Sequence, residues 1–215
     1  MYETVLFDLD GTIIDSAEGI MCSFEYTFRK LGLPVPTREE MNVFIGPPLH
    51  HSFEKICGLS KAGAEHAVEV YREYFAEKGV YQNRVYEGME ELLAKLCVRG
   101  KRLVLATSKY ELYAVQILEN LGFAKYFSFV AGSRKDGGRG TKREVIEYAL
   151  ASTGACKESS VMVGDRMHDT IGASEAGVDS IGVLFGFGSR KELISAKATH
   201  IAESPEDIFR IICGE

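Results

Sequence analysis

Apolar residues recur along this chain in two rhythms, and the change of rhythm divides it. From about residue 16 to residue 81 they fall at helical spacing: Ile20, Phe24, Phe28 and Leu31, then Ala64, Val68, Tyr71 and Phe75. Gly32 and Gly79 end those two runs, and Ser60 stands where the second begins. Asp15 and Glu18 have the spacing of a capping box and predict the first helix start. Residues 37–44 and 49–57 predict two short helices. Pro47 and Pro48 keep 45–49 a loop, because neither proline fits a helix interior. Nothing in this stretch alternates as a strand does.

Elsewhere short apolar runs alternate with helical faces. The runs are 4–9, 102–107, 127–131, 160–164 and 180–184, with a further short strand near His200. Between them lie the helical faces Met89-Leu92-Leu93-Leu96 and Leu112-Val115-Leu118-Leu121, then 141–151, 170–176 and a short helix near Arg190. Ser204 and Pro205 open a last helix as cap and first-turn proline. Strands that alternate with helices predict a parallel sheet covered on both faces. The expected fold is therefore α/β: a Rossmann-like doubly wound sheet built from residues 1–15 and 82–215, with a helical unit of residues 16–81 inserted after the first strand. No fixed-period repeat and no low-complexity segment interrupts it.

Composition narrows the function. The 215 residues carry a net charge of −6, which offers nucleic acid no overall attraction. A small anion remains possible as a ligand, since a metal ion and a few local cations reverse the sign at one site. Five dispersed cysteines (Cys22, Cys57, Cys97, Cys156, Cys213) lack the spacing of a zinc site or a disulfide framework, and are expected as reduced thiols mostly in the core. No signal peptide or membrane-length apolar run is visible, so a cytoplasmic location without membrane association is expected.

Ligands of a parallel sheet bind beyond the carboxyl ends of its strands. Four polar groups fall at or near such ends. Asp8 and Asp10 close the first strand, with Gly11 allowing the sharp turn that follows. Thr107-Ser108-Lys109 closes the second. Gly164-Asp165-Arg166-Met167-His168-Asp169 closes a third, and Thr141-Lys142-Arg143-Glu144 is a capping box that opens a helix. Each group has two readings. Asp8 and Asp10 are either a divalent-metal site with an acid–base partner, or solvated acids at a strand end. Thr107 either donates to a phosphoryl oxygen or simply ends a strand. Lys142 either faces an anion at a helix start or points to solvent. Asp165 and Asp169 share a metal, or Asp169 caps a helix. His168, His50 and His51 read as surface residues.

Taken in order, Asp8-Leu9-Asp10-Gly11-Thr12, Thr107, Lys142 and Gly164-Asp165 with Asp169 resemble the four motifs of the haloacid dehalogenase superfamily of phosphohydrolases. The likeness spans nearly the whole chain. The inserted helices, Ile45-Gly46-Pro47-Pro48-Leu49 and the stretch 182–189 are similar to its phosphoglycolate-phosphatase-like branch. One departure is the glycine-rich loop before Lys142, where many relatives have a lysine–proline pair.

The resemblance implies a chemistry. Asp8 is the nucleophile that forms a phosphoaspartyl intermediate, and Asp10 is the acid and then the base. Asp8, the backbone carbonyl of Asp10, and Asp165 hold Mg²⁺, with Asp169 in support. Thr107, Ser108 and Lys142 bind the phosphoryl group, with the amide of Leu9 assisting. The helical unit closes over the site on hinges at 14–16 and 79–82. The implied enzyme is a Mg²⁺-dependent phosphatase of a small phosphorylated metabolite, of the phosphoglycolate or 5′-nucleotide type, working as a monomer or homodimer. A phosphomutase of the β-phosphoglucomutase type keeps the same core residues. A phosphonatase needs a lysine in the inserted unit, where Lys55 and Lys61 lie. A dehalogenase needs neither Asp10 nor the metal acids. A ligand-binding protein on the same fold is the reading from another class.

Overall fold

The computed structural model describes residues 1–135 and 138–215. The chain forms two compact units, residues 16–84 and residues 1–15 with 85–215.

The first unit is helical. Helix α1 is Ala17–Lys30, α2 Leu49–His51 and α3 Lys61–Glu77. Its interior is aromatic: the Phe24 ring lies 4.5 Å from Phe44, 5.1 Å from Phe53 and 5.0 Å from Tyr71, centroid to centroid. These rings come from segments that are distant in sequence, so their contact fastens the unit. Three expectations change here. The Asp15–Glu18 capping box does not form. Ser16 is the N-cap, and Glu18 instead meets the guanidinium of Arg38, a fork that suits a carboxylate better than a lone amide does. Residues 37–44 narrow to a 3-10 turn over Glu40–Phe44, because the Glu40 side chain accepts from both Thr37 N–H and Thr37 Oγ1. The helix expected over 49–57 widens after α2 into a π turn, Ser52–Ile56. Its extra residue accompanies Phe53, which is fully buried against Phe24.

The second unit is the sheet with its helices. Strand β1 is Thr4–Phe7. The two-residue strands β2 (Ile14–Asp15) and β3 (Arg84–Val85) stand where the chain passes between units. There follow α4 (Met89–Val98), β4 (Arg102–Tyr110), α5 (Glu111–Asn120), β5 (Phe129–Ser133), α6 (Lys142–Thr153), β6 (Ser160–Gly164) and α7 (Met167–Ala176). The chain ends with β7 (Asp179–Val183), α8 (Arg190–Ser195), β8 (His200–Ala202) and α9 (Pro205–Cys213). Six strands pair in parallel in the order β5-β4-β1-β6-β7-β8. The doubly wound α/β sheet is therefore present, with β1 at its centre and buried throughout. Leu6, Val104, Ala106 and Met162 from three strands pack with Val145, Ile146, Ala149 and Leu150 of α6 and with Ala173 and Ala176 of α7.

The register positions the site. Phe7 pairs with Leu105 on one side and with Val163 on the other. Asp8, Ala106 and Gly164 therefore stand side by side at one level of the sheet. Two boundaries move in ways that matter. Strand β4 runs three residues past the expected end, to Tyr110. Helix α7 starts at Met167 rather than 170, because the Asp169 carboxylate accepts from Arg166 N–H at 3.1 Å and caps the first turn. The cysteine expectation is corrected. Cys213 is buried, Cys22 and Cys57 are half-buried, and Cys97 and Cys156 are exposed, since the helix ends and loops that carry most of them face water. All five are free thiols. No described helix is long and apolar enough to cross a membrane.

Candidate active site

Asp8 follows β1 and continues its ladder, its N–H donating to Val163 O at 2.9 Å. Asp165 follows β6, and Asp169 stands in the first turn of α7. Carboxylate oxygens of Asp8, Asp165 and Asp169 lie within 4.8 Å of one another. All three residues are buried, Asp165 completely. Lys142, the first residue of α6, reaches them. Its ammonium is 2.8 Å from Asp8 Oδ1 and 2.7 Å from Asp169 Oδ1, and it donates to Ala106 O at 3.1 Å. The Thr141–Glu144 capping box starts α6 as the sequence predicts and puts this lysine, itself buried, at the helix mouth.

Close approach shapes the floor. Gly11 has φ +80°, a backbone turn that favours glycine, and a Cβ there would stand 2.2 Å from Asp165 Oδ2. A Cβ on Gly186 would stand 2.4 Å from Asp165 Cβ. The loop after β7 thus lies directly on this acid, and Phe187 N–H donates to Asp165 Oδ2 at 2.7 Å.

Three buried carboxylates beside one ammonium leave a surplus of negative charge. Burial pushes the Asp8 carboxyl up to about 6, with Asp169 adding to the rise and Lys142 opposing it. Burial also holds Asp165 well above the usual carboxylate range, as do the charges of Asp169 and Asp8. The Lys142 ammonium is held above its ordinary value; burial opposes this, and Asp169 and Asp8 outweigh it. Asp165 Oδ1 is buried with no hydrogen-bond partner among the described residues. An all-oxygen donor set with one oxygen unspent and excess negative charge fits a hard divalent cation.

The remaining expected site residues are placed as follows. Thr107 is buried, Ser108 is half-buried, and Thr107 Oγ1 accepts from Lys109 N–H at 3.3 Å. The Asp10 side chain is not one of the three clustered acids. Both its oxygens accept from Lys109 Nζ, each at 2.9 Å. Lys109 was given no role by the sequence. The available signal was the period of a strand: if β4 continues past Thr107, then Lys109 shares its face. Arg166 pairs with Glu192 at 2.9 Å, and His168 is exposed. His51 is exposed and His50 half-buried, while Lys55 and Lys61 are both exposed, unlike a lysine activated by burial.

Acids and a lysine gathered beyond the strand ends of a parallel sheet are the layout of an α/β enzyme. The family model of haloacid dehalogenase-like hydrolases matches residues 5–183, and the chain belongs to that family. It is 44% identical over 199 residues to a 5′-nucleotidase of Pseudomonas aeruginosa, covering 93% of this chain and 90% of that protein. It is 40% identical over 199 residues to the tyrosine-protein kinase PtkA of Mycobacterium tuberculosis, covering 93% of this chain and 67% of that protein. Among solved structures, one titled as a predicted phosphatase from Clostridium acetobutylicum superposes with a TM-score of 0.96 at 42% identity and full coverage of both chains.

Proposed function

We propose that this hydrolase is a Mg²⁺-dependent phosphatase of small phosphorylated metabolites that works through a phosphoaspartyl intermediate on Asp8. The observation that carries the reading is the buried trio of Asp8, Asp165 and Asp169 with Lys142 set among them. Asp8, Asp165 and the carbonyl of Asp10 would hold the ion, with Asp169 in support. When bound, the ion offsets the like-charge repulsion between a carboxylate and a phosphate dianion.

In the first step a carboxylate oxygen of Asp8 forms a bond to phosphorus, the ester P–O bond breaks, and the leaving oxygen takes a proton from Asp10. In the second, water bonds to phosphorus while giving a proton to Asp10, and the Asp8–phosphorus bond breaks to release phosphate. Thr107, Ser108 and Lys142 stabilise the charge that spreads over the phosphoryl oxygens. The relative named 5′-nucleotidase puts 5′-nucleotides first among candidate substrates, ahead of phosphoglycolate.

A panel of 5′-nucleotides, phosphoglycolate, sugar phosphates and an aryl phosphate tests this, with phosphate release measured with Mg²⁺ and with chelator. Release from at least one small ester, lost on chelation and in Asp8→Asn, is the expected result. Metal-independent release, or none from any member, refutes the reading. Isomerisation of a sugar phosphate without net phosphate release would instead mark a mutase.

A further inference from the structure

We propose that Lys109 is a positioning residue that holds the Asp10 carboxyl in line for both proton transfers. The inference rests on the phosphatase reading above and adds a residue to it. Lys109 Nζ lies 2.9 Å from each oxygen of Asp10, and the two side chains are only 9% and 15% exposed. A two-point hold on a short side chain fixes its rotamer, and a pair this sheltered escapes most of the screening that weakens surface ion pairs. Asp10 needs such support. It sits in the turn after β1, joined to Ile14 by one isolated bridge, where the sheet no longer dictates its direction. Lys109 is borne by the end of β4, past that strand's last pair with β1 at Leu105 and between its pairs with β5 at Ala106 and Tyr110, so the segment that carries it is anchored on both sides.

The two lysines of the site divide the work. Lys142 contacts Asp8 and Asp169, the acids of the buried trio. The ammonium of Lys109 contacts the one acid that must give and take a proton. Removing Lys109 should therefore leave the trio intact and disturb proton transfer alone. That disturbance has a signature. An alkoxide leaving group needs a proton as the P–O bond breaks, whereas a nitrophenolate leaves without one.

The test is a series of phosphate monoesters with graded leaving groups, from 2,4-dinitrophenyl through phenyl to alkyl. Single-turnover and steady-state rates are read for wild type, Lys109→Met and Lys109→Arg. For Lys109→Met the expected loss in rate is about 10- to 100-fold on the alkyl ester. On the dinitrophenyl ester the first step should slow by less than about threefold. KM should barely change, and Lys109→Arg should recover most of the alkyl rate. In an Asp10→Asn background, Lys109→Met should cost nothing further. An equal fall across the series, or no fall at all, overturns the proposal and leaves the phosphatase reading standing. A wild type inert toward every ester overturns both. Where Lys109→Met does not fold, Lys109→Gln, polar but uncharged and one atom shorter than lysine, carries the same expectation.

Discussion

Phe24 and Asp165 are both fully buried, and their surroundings differ in kind. Around Phe24 lie the rings of Phe28, Phe44, Phe53 and Tyr71, apolar surfaces that gain by leaving water. Around Asp165 lie two more carboxylates, an amide from Phe187 and a backbone packed so closely that glycine is required. The first environment follows from the hydrophobic effect and stabilises its unit. The second opposes folding by itself, since burying like charges is costly unless something compensates them. The residues that the fold holds at a cost are those the proposed chemistry uses.

The sharpest break in this contrast is Asp8→Asn. Turnover should fall by about 10⁴-fold or more, because a neutral amide replaces the attacking carboxylate. Thermal melting of the metal-free protein should stay level or rise, because a buried charge has been removed. Phosphate release within tenfold of wild type would contradict the nucleophile assignment.

Asp10→Ala comes next, with about 10²–10⁴-fold slowing of both half-reactions. A normal burst followed by normal steady-state turnover would count against its double role.

Phe24→Ala probes the other environment. It should cost about 3–5 kcal/mol in chemical unfolding. Metal binding by the acids of the sheet unit, read by Mn²⁺ titration below the unfolding transition, should persist. Loss of binding in a folded sample would show that the two environments are not separable.

The smallest effect is a pH dependence of the metal-free protein. Asp8 is raised from 3.8 to about 6, so the folded state binds more protons than the unfolded one between those values. Its stabilising contribution is full below about pH 4 and is lost as pH rises through about 6, a change of order 1–3 kcal/mol. The buried Asp165 shifts the same way. Mg²⁺ competes with those protons, so its stabilising shift in melting temperature should be larger at pH 7.5 than at pH 5. Melts across pH 4.5–8, with and without Mg²⁺, check this, and the opposite slope would reject it.

Local chemistry explains what could be read from the chain beforehand. The sheet was legible because a strand segment buried on both faces must be apolar, as Val5-Leu6-Phe7, Leu103-Val104-Leu105-Ala106 and Val161-Met162-Val163 are. Lys142 was legible because the Thr141–Glu144 box sets a helix start within one residue. Asp8 and Asp165 were legible because they follow apolar runs at strand ends where Thr107 also falls, and Asp169 because it lies four residues after Asp165 across the turn into a helix. Lys109 did not, since a lysine after a strand is ordinarily solvated, and its partner Asp10 lies 99 positions away. The π turn at Ser52–Ile56 was hidden because a wider turn depends on where Phe53 finds its neighbours, which local spacing does not encode. The Asp15–Glu18 box failed for a similar reason, as a distant Arg38 outcompeted a nearby amide.

The shared register of β1, β4 and β6 beside Asp8 has a consequence for anyone handling the protein. A slip of one residue in any of these pairings would turn that strand's side chains to the opposite face and dismantle the whole constellation together. Misassembled molecules should then be silent instead of sluggish, so titrating active centres in a preparation amounts to counting the copies that found their correct alignment.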